Sequence, residues 1–346
     1  MRVLHVDTER GLRGGQAQLL HLVRQDPGPH VIVGSSGAAW LEHARQQGVD
    51  TRTVHFRGRL SGTAALGRVI RAVQPDLVAV HTAHALAHVA RLGIAPVVHR
   101  RSDFRPSWRA RRRLDRARGV IAVSGAIERC LRGWGVGRVP IRVVHDGVPE
   151  ASARCGANVR GELGLAHEPL VVSVGALVAH KGHRVLVEAL RELPGVHAAI
   201  LGQGPLRADL ARRARRAGVS ERLHLLGHRS NVGDWLAAAS VVCHPSLEEG
   251  LGSAVIEAMR AGALVVASRV GGLPEVVEDG GVLVPPDRPA VLASALRGVL
   301  QRMQDDPEGW RARASRGAAA RMTVQAMIEG TWAAYEDWCA TLRSRP

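Results

Sequence analysis

The segment HPSLEEGLGSAVIEAM, residues 244–259, places two carboxylates around a glycine-rich turn. Glu249 and Glu257 are separated by seven residues, with Gly250, Leu251 and Gly252 between them. An apolar run ends near Pro245 and a helical pattern starts near Gly252. The first N–H groups of a helix lack intrahelical partners and carry the positive end of its dipole, so this turn suits a phosphate or diphosphate. Carboxylates beside such a site are out of place unless they accept hydrogen bonds from neutral hydroxyls, and those of a sugar or ribose are the obvious donors. A second oddity lies upstream. Of the 47 Lys plus Arg residues, the one lysine is Lys181, in GALVAHKGHR.

The elements that must position these residues follow a βαβ rhythm. RVLHVD reads as a strand, TERGLRGG as a glycine-rich turn, and QAQLLHLVR as a helix with Leu19, Leu20 and Val23 on one face. Strand patterns recur at HVIVGSS, DLVAVH, PVVHR, GVIAVS and IRVVHDG, separated by helical segments. The rhythm lapses from Pro149 to about Pro169, in a linker with a short helix. It then resumes through PLVVSVGAL, HAAILG, RLHLLG, SVVCHPS, ALVVAS and GVLVPP. Two Rossmann-like, doubly wound α/β domains are the simplest account: residues 1–148, residues 149–321, and a final helix of about 322–346 crossing back to the first domain. Ligands of such sheets bind beyond the carboxyl ends of the strands, so the two domains are expected to face each other across a cleft.

Composition narrows the class. With 46% hydrophobic residues, 39 glycines and 3% aromatics, the chain reads as a soluble α/β protein, not a fibre, a disordered chain or a disulfide scaffold. The net charge of +16 suits an anionic partner, although a bias of Lys toward Arg explains it equally well. Cys130, Cys155, Cys243 and Cys339 are scattered with no metal-ligand spacing, as expected of idle thiols in a reducing compartment. No segment approaches the roughly 18 apolar residues that cross a bilayer, and MRVLHVD lacks the apolar core of a signal peptide. The expected location is the cytoplasm, with contact at the inner face of the membrane left open.

HPSLEEGLGSAVIEAM resembles the E-x7-E signature of the family 4 glycosyltransferases, which have the GT-B fold. The likeness extends through RGGQAQ, IAVSGAI, VVHDGV, VSVGALVAHKG, LGQGPLRADL, LHLLGHRSNV and ASRVGGLPEVV, in order, over almost the whole chain. The resemblance implies retaining transfer of a sugar from a nucleotide-sugar donor, most simply a UDP-sugar, to a glycan or glycolipid such as a lipopolysaccharide core. It gives Lys181 to the donor diphosphate, where a compact ammonium fits between oxygens that would force a planar guanidinium to realign. An exposed helix-start residue is the plain alternative. Glu249 would hold the transferred sugar, with Gly250, Leu251 and Gly252 giving backbone N–H groups, and Glu257 would hold the ribose. Gly227 and Arg229 follow the strand near the base, and Gly202 and Gly204 form a turn nearby. Gly14 and Gly15 match the first-domain loop that approaches the phosphates. His81 aligns with the histidine that faces the reacting centre, with His84 as its substitute. Arg100, Arg101 and Asp103 either read an acidic acceptor or close a salt-bridged turn. The arginine usual five residues before the lysine is Ala176 here, so Arg184, Arg229 or first-domain arginines must supply that charge.

The chain has no D-x-D motif, so no metal and no cofactor is expected, and charge on the leaving group falls to Lys181 and the helix start. WRARRRLDRARG is a basic helix carrying Trp108 and Leu114, either a solvated face or a contact for an anionic membrane. Nucleic acid is not an expected partner: a basic face for it needs interleaved aromatics or a known motif, and neither occurs. Three rivals remain: a nucleotide-sugar 2-epimerase of the same architecture, a basic nucleic-acid-binding protein, and a sugar-nucleotide-binding protein without catalysis.

Overall fold

The computed structural model describes residues 1–26, 28–149, 158–278, 280–306, 309 and 318–343. The chain divides into two compact units, Met1–Gly147 together with Thr323–Pro346, and Val148–Met322. The first unit holds β1 (Val3–Asp7), β2 (His30–Ser35), β3 (Thr51–Val54), β4 (Leu77–Val80), β5 (Val97–Arg100), β6 (Gly119–Ala122) and β7 (Ile141–Val143). They form one sheet in the order β3-β2-β1-β4-β5-β6-β7, and the pairings are parallel. Parallel neighbours require crossover connections, and helices covering both faces explain why these strands read as continuous apolar runs.

The second unit repeats the plan with β8 (Leu170–Val174), β9 (His197–Leu201), β10 (Leu223–Gly227), β11 (Val241–His244), β12 (Val265–Ser268) and β13 (Val282–Val284). Their order is β10-β9-β8-β11-β12-β13. In each sheet the chain builds outward on one side and then returns to build on the other. The reversal falls between β1 and β4 in the first unit and between β8 and β11 in the second. Loops leaving adjacent strands there diverge to opposite faces and open a crevice. The second crevice is bordered by the turn carrying Lys181 and the loop carrying Glu249.

The structure differs from the sequence reading in a few places. β3 lacks any sequence signal because it is a four-residue edge strand whose ends are buried while Arg52 and Thr53 are exposed, so neither alternation nor an apolar run develops. Gly14 and Gly15 open the helix Gly14–Gln25 and are not part of the turn before it. The basic helix spans only Trp108–Leu114. Of the linker, residues 150–157 with Cys155 lie outside the described residues, and a single 3-10 turn at Gly161–Leu163 follows. Among the described residues, no helix is long and apolar enough to cross a membrane.

The helix Val324–Arg343 belongs to the core of the first unit. Met327, Ile328, Ala334, Tyr335 and Trp338 pack with Val3, Leu77, Ala79, Val97 and Ile121 from four strands. Gly119 makes room for it: a Cβ there would stand 2.3 Å from the Trp338 ring. We expect Trp338→Ala to destabilise the protein by about 3 kcal/mol through the cavity it leaves. Gly119→Ala should cost roughly 1–3 kcal/mol through overpacking. Because the smaller residue at 338 accommodates the new methyl, the double variant should be less destabilised than the sum, measured by urea denaturation. Strict additivity would contradict the packing described.

Candidate active site

In the second unit, the turn after β8 and the loop after β11 are joined by backbone bonds: Leu247 N–H donates to the His180 carbonyl at 2.7 Å. That approach requires glycine at 182. Its φ is +64°, and a Cβ would lie 2.0 Å from the Pro245 carbonyl oxygen. The other side of the loop is pressed on Gly271, where φ is +51° and a Cβ would meet the Glu249 carbonyl at 1.6 Å. Glu249 is thus held between two segments that cannot retreat without breaking backbone contacts.

Three donors converge on one oxygen of its side chain. Glu249 Oε2 accepts from Lys181 Nζ at 2.5 Å, from His244 Nε2 at 2.8 Å and from Ser246 Oγ at 3.3 Å. Since an ionised carboxylate only accepts, His244 carries its proton on Nε2. Oε1 makes no bond among the described residues. Burial alone would raise the Glu249 carboxyl, but the His244 hydrogen bond and the Lys181 charge overcome it and hold the group well below the usual range. His244 and Ser246 escaped the sequence reading, although they stand in the same HPS just upstream of Glu249.

Gly252 begins the helix Ser253–Arg260, whose first turn has no side-chain cap and no acidic residue. One and a half turns on, Glu257 is open to solvent yet surrounded by enough protein that desolvation raises its carboxyl above the ordinary value. Its carboxylate has no hydrogen-bond or ion-pair partner among the described residues. Gly202 and Gly227 meet in a backbone bridge, with Gly202 N–H donating to the Gly227 carbonyl at 2.8 Å. The arginines expected to replace the missing charge at Ala176 are engaged elsewhere: Arg184 pairs with Asp287 at 2.8 Å and Arg229 with Glu162 at 3.2 Å. Arg229 also lies over the Trp235 ring.

In the first unit, His81 follows β4 at the sheet reversal. Both its ring nitrogens are engaged, Nδ1 by Arg101 Nη1 at 3.2 Å and Nε2 by His5 Nδ1 at 3.1 Å. Burial, then the neighbouring His99, His5 and Arg101, drive its pKa well below the usual histidine value. Arg101 is anchored to Asp146 at 3.0 Å, and its Cδ lies 3.7 Å from the position a Cβ would take on Gly15. The structure therefore brings Gly15, His81 and Arg101 together. Arg100 instead turns to the Phe104 carbonyl, and His84 makes an edge contact with His88. His84 borders a separate cavity of about 320 Å³ with Arg10, His55, Phe56 and Arg57.

Two family models match the chain: "Glycosyltransferase Family 4" over residues 17–152 and "Glycosyl transferases group 1" over residues 168–302. A D-inositol 3-phosphate glycosyltransferase from Xylanimonas cellulosilytica is 33% identical over 321 residues, covering 85% of this chain and 73% of that protein. The chain belongs to glycosyltransferase family 4. This family 4 glycosyltransferase is also similar to the alpha-D-kanosaminyltransferase of Streptomyces kanamyceticus, 33% identical over 44% of this chain and 40% of that one. Among solved structures, Anabaena HepE in complex with UDP-glucose superposes with a TM-score of 0.83 at 22% identity, each chain covered in full. WaaG, a glycosyltransferase involved in lipopolysaccharide biosynthesis, gives 0.72 at 16% identity over 96% of this chain and 98% of that one. These likenesses establish the GT-B fold.

For this glycosyltransferase the depressed Glu249 carboxyl fixes a sign. Its stabilisation is present above the unfolded carboxylate value of about 4.3 and is lost as pH falls from there toward the lower folded value. Glu249→Gln should therefore lower Tm clearly at pH 7, and the gap to the parent protein should narrow as pH drops below about 4. A gap independent of pH would show that the carboxylate charge does not hold the two loops together.

Proposed function

We propose that the chain transfers a sugar from a UDP-sugar, with retention of configuration and without a metal, to a glycan or glycolipid acceptor. The observation that carries this reading is the asymmetric anchoring of Glu249. One oxygen is fixed by Lys181, His244 and Ser246, which leaves Oε1 to accept from a sugar hydroxyl. Lys181 has three N–H donors and gives one to Glu249, so it can hold the carboxylate and reach a diphosphate at once. The uncapped helix start at Gly252 supplies further N–H groups to the phosphates. Glu257, unpartnered in the crevice, is suited to a ribose hydroxyl. Gly227 ends β10 and Arg229 lies two residues beyond it, where a base would rest.

His81 is assigned to the reacting sugar, with Arg101 beside it and Gly14 and Gly15 at the adjoining helix start. The donor nucleotide UDP is favoured by likeness to HepE, whose complex contains UDP-glucose. A glycolipid or other membrane-borne acceptor is favoured by exposed apolar and basic residues of the first unit. Trp108 carries Arg109 and Arg112 over its ring, and Leu60 and Phe104 are exposed. Arg113 feels the charges of Arg91, Arg109 and Arg59 after its own desolvation. Arginines around an exposed aromatic are suited to the anionic inner face of a membrane.

Lys181→Ala should raise the donor dissociation constant and lower kcat by roughly 10²-fold, the scale on which a preorganised donor to a developing oxyanion contributes. Lys181→Arg should restore part of both, and wild-type transfer should persist in excess EDTA. Activity that disappears on chelation and returns with Mn²⁺ would overturn the metal-free reading.

Glu257→Gln tests the ribose assignment. In the free protein a carboxyl raised by desolvation opposes folding at neutral pH, so this variant should have an equal or higher Tm. It should nevertheless bind free UDP more weakly by calorimetry than Glu249→Gln does. The reverse order of affinities would exchange the two roles.

A further inference from the structure

The interior of the first unit holds a continuous chain of hydrogen bonds that runs through His81 from Arg101 to Asp26. Arg101 Nη1 meets His81 Nδ1 at 3.2 Å, His81 Nε2 meets His5 Nδ1 at 3.1 Å, and His5 Nε2 meets His30 Nδ1 at 3.0 Å. His30 Nε2 then meets Asp26 Oδ2 at 2.6 Å. Its residues come from β1, the start of β2, and the segments after β4, β5 and the helix Gly14–Gln25.

Both ends have a fixed sense. A guanidinium can only donate, so His81 Nδ1 accepts. At the other end, Gly28 N–H donates to Asp26 Oδ1 at 3.0 Å and Trp332 Nε1–H donates to Oδ2, so Asp26 accepts on both oxygens. Three neutral imidazoles between these ends have one arrangement: each accepts at Nδ1 and donates from Nε2–H. Burial disfavours the protonated form of His5 and of His81, as do their neighbouring cations and imidazoles.

Further titratable groups face this chain from the neighbouring elements. His99 of β5 stacks on His81 with centroids 4.5 Å apart, and its Nε2 is 2.6 Å from Tyr335 Oη of the C-terminal helix. Asp146, beyond β7, holds Arg101 at 3.0 Å, and Asp7 of β1 lies within reach of the Arg101 charge.

We propose that Asp26, His30 and His5 are positioning residues for His81: they hold its Nδ1 as a lone-pair acceptor even when Arg101 is drawn away by substrate. The proposal rests on the reading that His81 faces the reacting sugar. It adds a selectivity: the lone pair takes a hydroxyl and repels a phosphate or carboxylate oxygen, while Arg101 supplies a donor beside it. The fitting ligand is a sugar hydroxyl or vicinal diol, whose groups both donate and accept.

The test is ¹⁵N NMR of the full chain labelled at histidine, with the His81 signals assigned from His81→Gln. The wild type should show His81 as the neutral Nε2–H tautomer from about pH 6 to 8, whereas an Nδ1–H tautomer or an imidazolium overturns the chain. Arg101→Met should leave His81 as Nε2–H because Asp26 still sets the sense. Adding Asp26→Leu should populate the Nδ1–H form, and scrambling by Arg101→Met alone removes any role for Asp26.

Transfer kinetics form the second arm. Asp26→Leu in the otherwise native enzyme should lower kcat roughly tenfold, the low end of what losing an orienting partner costs a metal-ligating histidine, with donor KM little changed and an altered pH profile. If His81→Ala cripples transfer while Asp26→Leu keeps the wild-type kcat and pH profile, positioning is refuted and the His81 assignment stands. If His81→Ala itself transfers normally, the assignment fails and the positioning role fails with it.

Discussion

A carboxylate withdrawn from water must be matched by charge and hydrogen bonds, or it costs several kcal/mol. Glu249 is such a group, and the second unit is arranged around meeting its demand. Lys181 comes from the turn after β8, His244 from the end of β11 and Ser246 from the following loop. Strands adjacent in the sheet but distant in sequence are thereby tied at their carboxyl ends, where the sheet order reverses. The glycines at 182 and 271 are consequences of the same closeness, since any side chain there would occupy backbone space. Because all the neutralising contacts fall on one oxygen, the carboxylate is rigid and still half available to a ligand. Rigidity on one side and vacancy on the other is what a positioned binding group requires.

The first unit meets an analogous demand with neutral groups. Where most parallel sheets fill their interior with Val, Ile and Leu, this one seats His5, His30, His81 and His99 within reach of one another. Such an interior holds together only if every ring nitrogen finds a complementary partner, since each unmatched one costs about 1–3 kcal/mol. The parallel register puts His5 beside Ile32 and Ala79, so slipping one residue would send its imidazole to the opposite face. The C-terminal helix completes the arrangement by bringing Trp332 to Asp26 and Tyr335 to His99. It both seals the apolar core and finishes the polar network.

The arginine excess has more than one part. Several arginines are bound within their own unit, as Arg101 to Asp146, Arg184 to Asp287, Arg213 to Asp209 and Arg229 to Glu162. Others surround Trp108 on an exposed helix. A net charge read from composition cannot separate these populations, because pairing depends on which segments fold together. The lone lysine differs. Its rarity is visible in the sequence, and the structure gives it a partner, Glu249, across 68 residues of chain.

Two α/β units, the positions of nearly all the strands along the chain, the glycine-started helix and the pair Glu249 and Glu257 were legible in the sequence. Each depends on local pattern: apolar runs bounded by turns, or residue types at short spacing. The edge strand Thr51–Val54 was not legible, because buried ends around an exposed middle leave neither alternation nor an apolar run. His244 stood in plain view beside Glu249, yet only the fold shows that its Nε2 faces that carboxylate. The histidine chain was hidden more deeply. His5, His30 and His81 each look like an isolated histidine in or next to an apolar run, and their partnership arises from the lateral register of three strands. Local chemistry thus determined which residues were fit to act. Tertiary structure decided which of them meet and which nitrogen bears the proton, because those depend on distances between segments that no spacing along the chain encodes.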